Sequence, residues 1–254
     1  MFYHNKLQFA AKQVLKSELL QESADYAQEM LKHIYKGYSD GIIEGVEVAV
    51  EDEYIIVNPG IIKHNDILYH MKEKVRIPYE HSGKLTVLKI RFSDANQQEE
   101  KIQYDTEFML TEEEELFPYE MELGRFISEK GATLQGEAEN FEALSIKYNH
   151  FDIRKVPYAG KGVSTISPRI TMLFAKALSA KQTENFYDIA FTMQCLTQKP
   201  IEREVIYYYL SKRLGKKQEE PSNEQIYQEL LQILKQGAPR RQGMMPMNRK
   251  MIVE

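Results

Sequence analysis

Between residues 41 and 155 several short stretches alternate polar and apolar side chains, and no helical repeat interrupts them. Val46, Val48 and Val50 alternate with Glu47, Ala49 and Glu51. Tyr54-Ile55-Ile56-Val57 follows and stops at Asn58-Pro59-Gly60, a strong turn signal. Ile61-Ile62, a polar turn at His64-Asn65-Asp66 and Ile67-Leu68-Tyr69 come next, and Leu85 to Phe92 is apolar enough for a central strand. Ile102, Tyr104, Thr106 and Phe108 alternate with Gln103, Asp105 and Glu107, and Tyr119, Met121 and Leu123 alternate with Glu120 and Glu122. Successive side chains of a strand point to opposite faces, so this period predicts antiparallel sheet with one apolar and one wet face. Closely spaced strands without intervening helices predict a β-sandwich or open barrel over residues 41–160.

Helical patterns flank this platform, which makes the fold class α+β. Residues 1–36 form an N-terminal unit whose stretch from about 5 to 36 contains no glycine or proline and stops at Gly37. Leu20, Ala24, Ala27, Leu31 and Ile34 recur at spacings of four and three, a heptad-like seam that seeks a partner helix or groove. These five are the candidate interface residues. Residues 166–236 predict a small bundle of three or four helices. Ser167-Pro168 offers an N-cap and a first-turn proline, Pro200 repeats the device before Ile201, and Ser222 with Gln225 has the spacing of a capping box. Met172, Leu173, Ala175 and Leu178, and Ile226, Leu230, Ile233 and Leu234, fall on helical faces, with a linker over 216–220 and a stop at Gly237. Residues 237–254 hold Met244, Met245, Met247 and Met251 among arginine, glycine and proline, and are expected to be disordered when alone.

Several kinds of chemistry are not expected. The net charge is −5 and no basic stripe interrupts the first 236 residues, so no nucleic-acid partner is expected. The one cysteine, Cys195, lies in the apolar stretch Ile189 to Leu196 and reads as a small buried hydrophobe. Its solitude fits a reducing, cytoplasmic setting. No apolar run is long enough for membrane insertion, and the N-terminus lacks the order of a secretory signal. Ser82-Gly83-Lys84-Leu85-Thr86 and Ala159-Gly160-Lys161-Gly162-Val163-Ser164 both miss the spacing of a phosphate-cradling loop and read as turns. No histidine pair has metal-ligand spacing, and His64 and His70 read as solvated loop residues, so no cofactor or metal is expected. Glu112 to Glu115 reads as a solvated loop. No catalytic constellation emerges, and the chain is expected not to be an enzyme. An alternative remains, a carbohydrate-binding module or hydrolase built on the sandwich. It would use the tyrosine-rich faces and Asp105, Glu107, Glu120 and Glu122.

One resemblance runs through the platform. Asp40-Gly41-Ile42-Ile43-Glu44-Gly45-Val46-Glu47-Val48, Ile55 to Ile62 with its Pro59-Gly60 turn, and Asp66-Ile67-Leu68 resemble the strand, turn and hairpin of phage tail and baseplate proteins. Tyr119 to Phe126 resembles the strand that closes such platforms. A β shell followed by helices is similar to the N-terminal shell of type VI secretion baseplate subunits and to phage receptor-binding-protein shoulders. The resemblance implies a non-catalytic subunit that docks on other protein subunits and self-associates, with a homotrimer as the expected state. The long N-terminal helix lies outside that pattern, and the family's large C-terminal domain that binds the membrane complex has no counterpart in the sequence. The docking partner is therefore not transferred, and no individual functional residue carries over.

Overall fold

The computed structural model describes residues 16–97, 102–197, 199–215 and 220–236. The expected tail 237–254, the first turns of the N-terminal helix and most of the linker 216–220 lie outside these residues. Helix α1 spans Ser17–Ile34. The strands are β1 Gly41–Gly45, β2 Val48–Glu51, β3 Tyr54–Val57, β4 Gly60–His64, β5 Ile67–Met71, β6 Val75–Pro78, β7 Leu85–Phe92, β8 Asn96–Gln97, β9 Ile102–Gln103, β10 Thr106–Thr111 and β11 Glu120–Ile127. Four helices follow: α2 Pro168–Ser179, α3 Phe186–Cys195, α4 Arg203–Leu214 and α5 Asn223–Gln236. The α+β class and the order of helix, antiparallel strands and helices match the sequence pattern.

Every ladder is antiparallel, and the strands form sheets in the orders β1-β4-β5, β2-β3-β6 and β10-β7-β11, with a small β8-β9 ribbon. No barrel closes among them. The β4–β5 hairpin turns on Asn65 and Asp66, both at positive φ, the geometry whose twist matches the flanking strands. Apolar faces of the sheets meet in one core that includes Ile55, Val57, Leu88, Ile90, Leu123 and Phe126.

The helices enclose a second core. Ser167 caps α2 by accepting from the Arg169 N–H, and Pro168 occupies its first turn. The capping box of α5 is reciprocal: the Gln225 N–H donates to Ser222 Oγ and the Ser222 N–H to Gln225 Oε1. Pro200 does not start α4, which begins at Arg203 with no side-chain cap. Phe174, Phe191 and Tyr209 pack as a ring series between α2, α3 and α4. Ile153 packs against both cores.

Two sequence expectations fail here, the wet face at Glu120 and Glu122 and the solvated setting of His64. Glu120 and Glu122 do not sit on a wet face, since all of β11 is buried. The register sets Glu120 opposite Arg91 and Glu122 opposite Lys89. Lys89 Nζ donates to Glu120 Oε2 at 3.2 Å, and Arg91 donates to Glu120 Oε1 at 2.8 Å. Arg125 grips Glu122 through two bonds of 2.6 Å and reaches Glu114 at 2.6 Å. Glu112 to Glu115 are exposed and irregular, as the solvated loop expected there would be, and residues 112–118 run as a strap over this layer. Lys89 Nζ donates to the Glu115 carbonyl, and the Phe117 N–H donates to Glu120 Oε2 at 3.4 Å. Charges can be buried because each meets an opposite charge and a further hydrogen bond. His64 is likewise buried, stacked on Phe92 with ring centroids 4.0 Å apart, while His70 is exposed as expected.

One backbone detail secures the strap strand. β11 carries a bulge between Glu122 and Gly124, and Gly124 has φ 146°. A Cβ there would lie 2.1 Å from the Phe151 ring, so only glycine lets that ring approach.

Candidate assembly surfaces

The four candidate carboxylates fall in two different settings. Asp105 and Glu107 are exposed, whereas Glu120 and Glu122 are enclosed and neutralised. Burial pushes the Glu120 carboxyl up, but donors from Arg91, Lys89 and the Phe117 N–H outweigh it and hold the group below its ordinary value. A glycosidase-type pair needs the opposite, a general acid held high beside an open sugar face. Cys195 is fully buried on α3, and desolvation pushes its thiol up to about 12, so no thiolate is available as a nucleophile. His64 is held below its ordinary value by burial, partly offset by Asp40. Its Nδ1 lies 3.3 Å from Asp40 and its Nε2 faces the Asn65 amide at 3.2 Å, a pairing that suits a neutral ring with the proton on Nδ1. Among the described residues no cluster of histidine, cysteine and carboxylate has the geometry to hold a metal ion.

A cleft of about 250 Å³ opens where the sheets meet the first turn of α2. Its floor is apolar, from Ile42, Leu123, Phe151 and Met172, and Glu44, Glu47 and Glu137 stand exposed at its rim. Arg169 bonds Glu137 at 3.1 Å, which commits the one guanidinium of the lining to a neighbour. Burial pushes the Tyr158 phenol up to about 12, so it stays protonated. The cleft thus combines shape and an apolar floor with an acidic rim.

The distinctive surfaces are apolar. On α1, Leu20, Ala24, Ala27, Leu31 and Ile34 share a face by their spacing, and every one is exposed. No residue of α1 is buried. Its lower end is held by dipole and capping terms, with Lys32 and His33 in the last turn and the Tyr35 N–H on the Leu31 carbonyl. Such local terms leave a helix of this length marginal in water, because most helical stability comes from packing an apolar face.

A second surface was not foreseen. Cys195 is buried as expected, and Asp188 and Phe191 face the core beside it. On the opposite side Phe186 is 76% exposed and Met193 68%, and Ile189 and Leu196 continue the same stripe. Tyr208 of α4 extends it, its ring 6.2 Å from Tyr187, with the Lys212 ammonium 5.2 Å above it. The placement of this helix is firm. Asp188 accepts from Tyr209 Oη at 2.9 Å and Thr183 Oγ1 at 2.8 Å, and Arg213 Nε sits 2.6 Å from its carboxylate. A helix apolar on all sides does not reveal in sequence which side is the core.

A third patch crowns the strap. Leu116, Phe117 and Tyr119 are exposed, the two rings are stacked with their planes 5° apart, and Arg91 lies 5.8 Å over Tyr119.

No protein-family signature and no curated protein matches the sequence. Among solved structures, a crystal structure of TssK aligns with 92% of this chain and 72% of its own at 7% identity, with a TM-score of 0.43. The cryo-electron microscopy structure of the type VI secretion system TssK-TssF-TssG baseplate subcomplex aligns with 91% of this chain and 99% of the matched chain, at 9% identity and the same score of 0.43. A likeness of this size concerns the course of the chain and transfers neither partner nor activity.

Proposed function

We propose that this chain is a non-catalytic assembly subunit that works by docking its exposed apolar helical faces on other protein chains. The observation that carries the reading is α1, which presents a five-residue apolar seam while burying none of its own residues. The flanks of that seam are uncharged at Gln21, Ser23, Gln28 and Met30, while Glu22, Asp25, Glu29 and Lys32 lie on the outer side of the helix. Like charges therefore do not oppose a bundle of identical helices. In this reading α1 self-associates as a homotrimer, and the α3 stripe and the strap patch receive other subunits. The platform motifs of the sequence suggest the kind of assembly, a phage-tail-like or contractile-injection baseplate. The division into an N-terminal helix, a platform over 41–160 and a bundle over 166–236 is part of the same proposal.

Light scattering across a concentration series tests it. The full chain is expected at three times its 29.7 kDa mass. Ala27→Asp with Leu31→Asp places charge in the seam and is expected to give a monomer whose circular dichroism spectrum loses no more than the helical signal of α1. A full chain that stays monomeric at high concentration refutes self-association through α1.

A further inference from the structure

Sheet edges show how a fold treats its own unpaired backbone, because an edge with free N–H and C=O groups is a template for another strand. Four of the six edges of the three main sheets are covered or carry residues that discourage pairing. Beyond β1, the Ile42 N–H reaches the Pro157 carbonyl at 3.0 Å and the Ala159 N–H returns to Ile42 at 2.8 Å. Beyond β11, Arg125 and Asp152 exchange bonds of 3.0 and 2.7 Å. Gly136 lies against the edge of β2 at Val50. β6 carries Arg76 and Pro78, two residues that discourage pairing.

β5 and β10 are treated differently. Each ends its sheet, and among the described residues no hydrogen bond reaches the outer side of either. Neither contains lysine, arginine or proline, and β5 reads Ile67-Leu68-Tyr69-His70-Met71. Both line one cleft of about 340 Å³. All five residues of β5 form one wall, Tyr104, Thr106 and Phe108 belong to the other, and Ile62 and Ile90 lie between. No carboxylate, ammonium or guanidinium lines it. A charged side chain entering would lose its water without a counter-charge, so the cleft selects against charge.

We propose that this cleft seats an extended, uncharged segment of a different protein chain, which adds as a strand to the outer edge of β5. Alternate residues of β5 direct their N–H and C=O groups outward and recognise the backbone of the incoming segment. Its inward side chains are apolar and lie against Ile62, Ile90 and Phe108. The proposal goes beyond the assembly reading by naming strand pairing at a site separate from α1, and it stands or falls without the trimer.

The test is calorimetric titration of the full chain with a short capped peptide alternating valine and threonine. Two copies of the peptide are compared, N-methylated on one or the other set of alternate amides. The unmodified peptide is expected to bind and to slow hydrogen exchange at the β5 amides. One methylated copy is expected to bind at least roughly tenfold more weakly, because each blocked N–H leaves a β5 carbonyl unpaired, and the other to keep its affinity. Thr106→Lys, at an exposed position on the opposite wall, is expected to weaken the peptide while leaving the spectrum and the α1-dependent mass unchanged. No binding at millimolar peptide, or binding indifferent to both methylation patterns, overturns the proposal. So does a mass increase of the full chain that survives the α1 seam variant and is lost in Thr106→Lys, which would assign the edge to a second copy.

Discussion

Glu120→Gln is the most informative single change. The substitution keeps the shape of the side chain and removes its charge. Lys89, whose side chain is 2% exposed, then retains only the Glu115 carbonyl and a neutral amide. Removing one member of a buried ion pair costs about 3–5 kcal/mol, because the remaining charge is dry and uncompensated. Arg91 adds little, since its side chain is 39% exposed and recovers water. With a urea dependence near 2–3 kcal/mol per molar, the unfolding midpoint should fall by roughly 1–2.5 M. Tyrosine fluorescence and circular dichroism can follow it, as the chain has no tryptophan. The control is the pair Lys89→Met with Glu120→Leu, which removes both charges and fills the same space. That pair should lie within about 2 kcal/mol of the parent, because well-packed apolar replacements of buried ion pairs are often neutral. Acid gives the matching sign: with Glu120 held below its ordinary 4.5, its stabilisation is present above that pH and is lost as pH falls through the folded-state value. A cost below about 1 kcal/mol for Glu120→Gln, or a double variant worse than the single, refutes the account of the buried layer.

Three further outcomes follow from particular contacts. Gly124→Ala drives a methyl into the Phe151 ring at a positive φ and should destabilise by roughly 2–3 kcal/mol, read as a lower melting temperature. His64, held below its ordinary 6.5 in the fold, binds its proton more readily when unfolded, so stability should decline as pH drops below 6.5; His64→Gln should flatten that part of the profile. Cys195 should resist a thiol reagent in the native protein and react at once in denaturant, whereas fast native labelling would contradict its burial.

How much was legible in the sequence depended on whether the cause was local. The hairpin at Asn65-Asp66, the cap at Ser167 and the capping box at Ser222 and Gln225 are decided by neighbours in the chain, and each was readable. Period two along β11 was also readable, but it reports that two faces differ and not that the polar one is wet. A signal for the buried layer existed in the complementary parity of Lys89 and Arg91 on one strand and Glu120 and Glu122 on another. It takes meaning only once the register is known. The exposed side of α3 was hidden because Phe186, Ile189 and Met193 are as apolar as Phe191 and Cys195 on the buried side. Which side faces out is decided by α2 and α4, far away in sequence. The β5–β10 cleft was illegible for a related reason, since an edge is a property of the whole sheet order.

The buried ion layer beneath the strap also governs how this molecule answers to ionic strength. Mobile ions screen charges they can approach, and at physiological salt they do so over about 8 Å. The Lys84–Glu112 pair at the start of the strap is open to them, with both side chains more than half exposed. The Lys89–Glu120 and Arg125–Glu122 pairs are closed off. Salt can therefore weaken the ion pairs on the outside of the strap while the layer beneath keeps Leu116, Phe117 and Tyr119 in place.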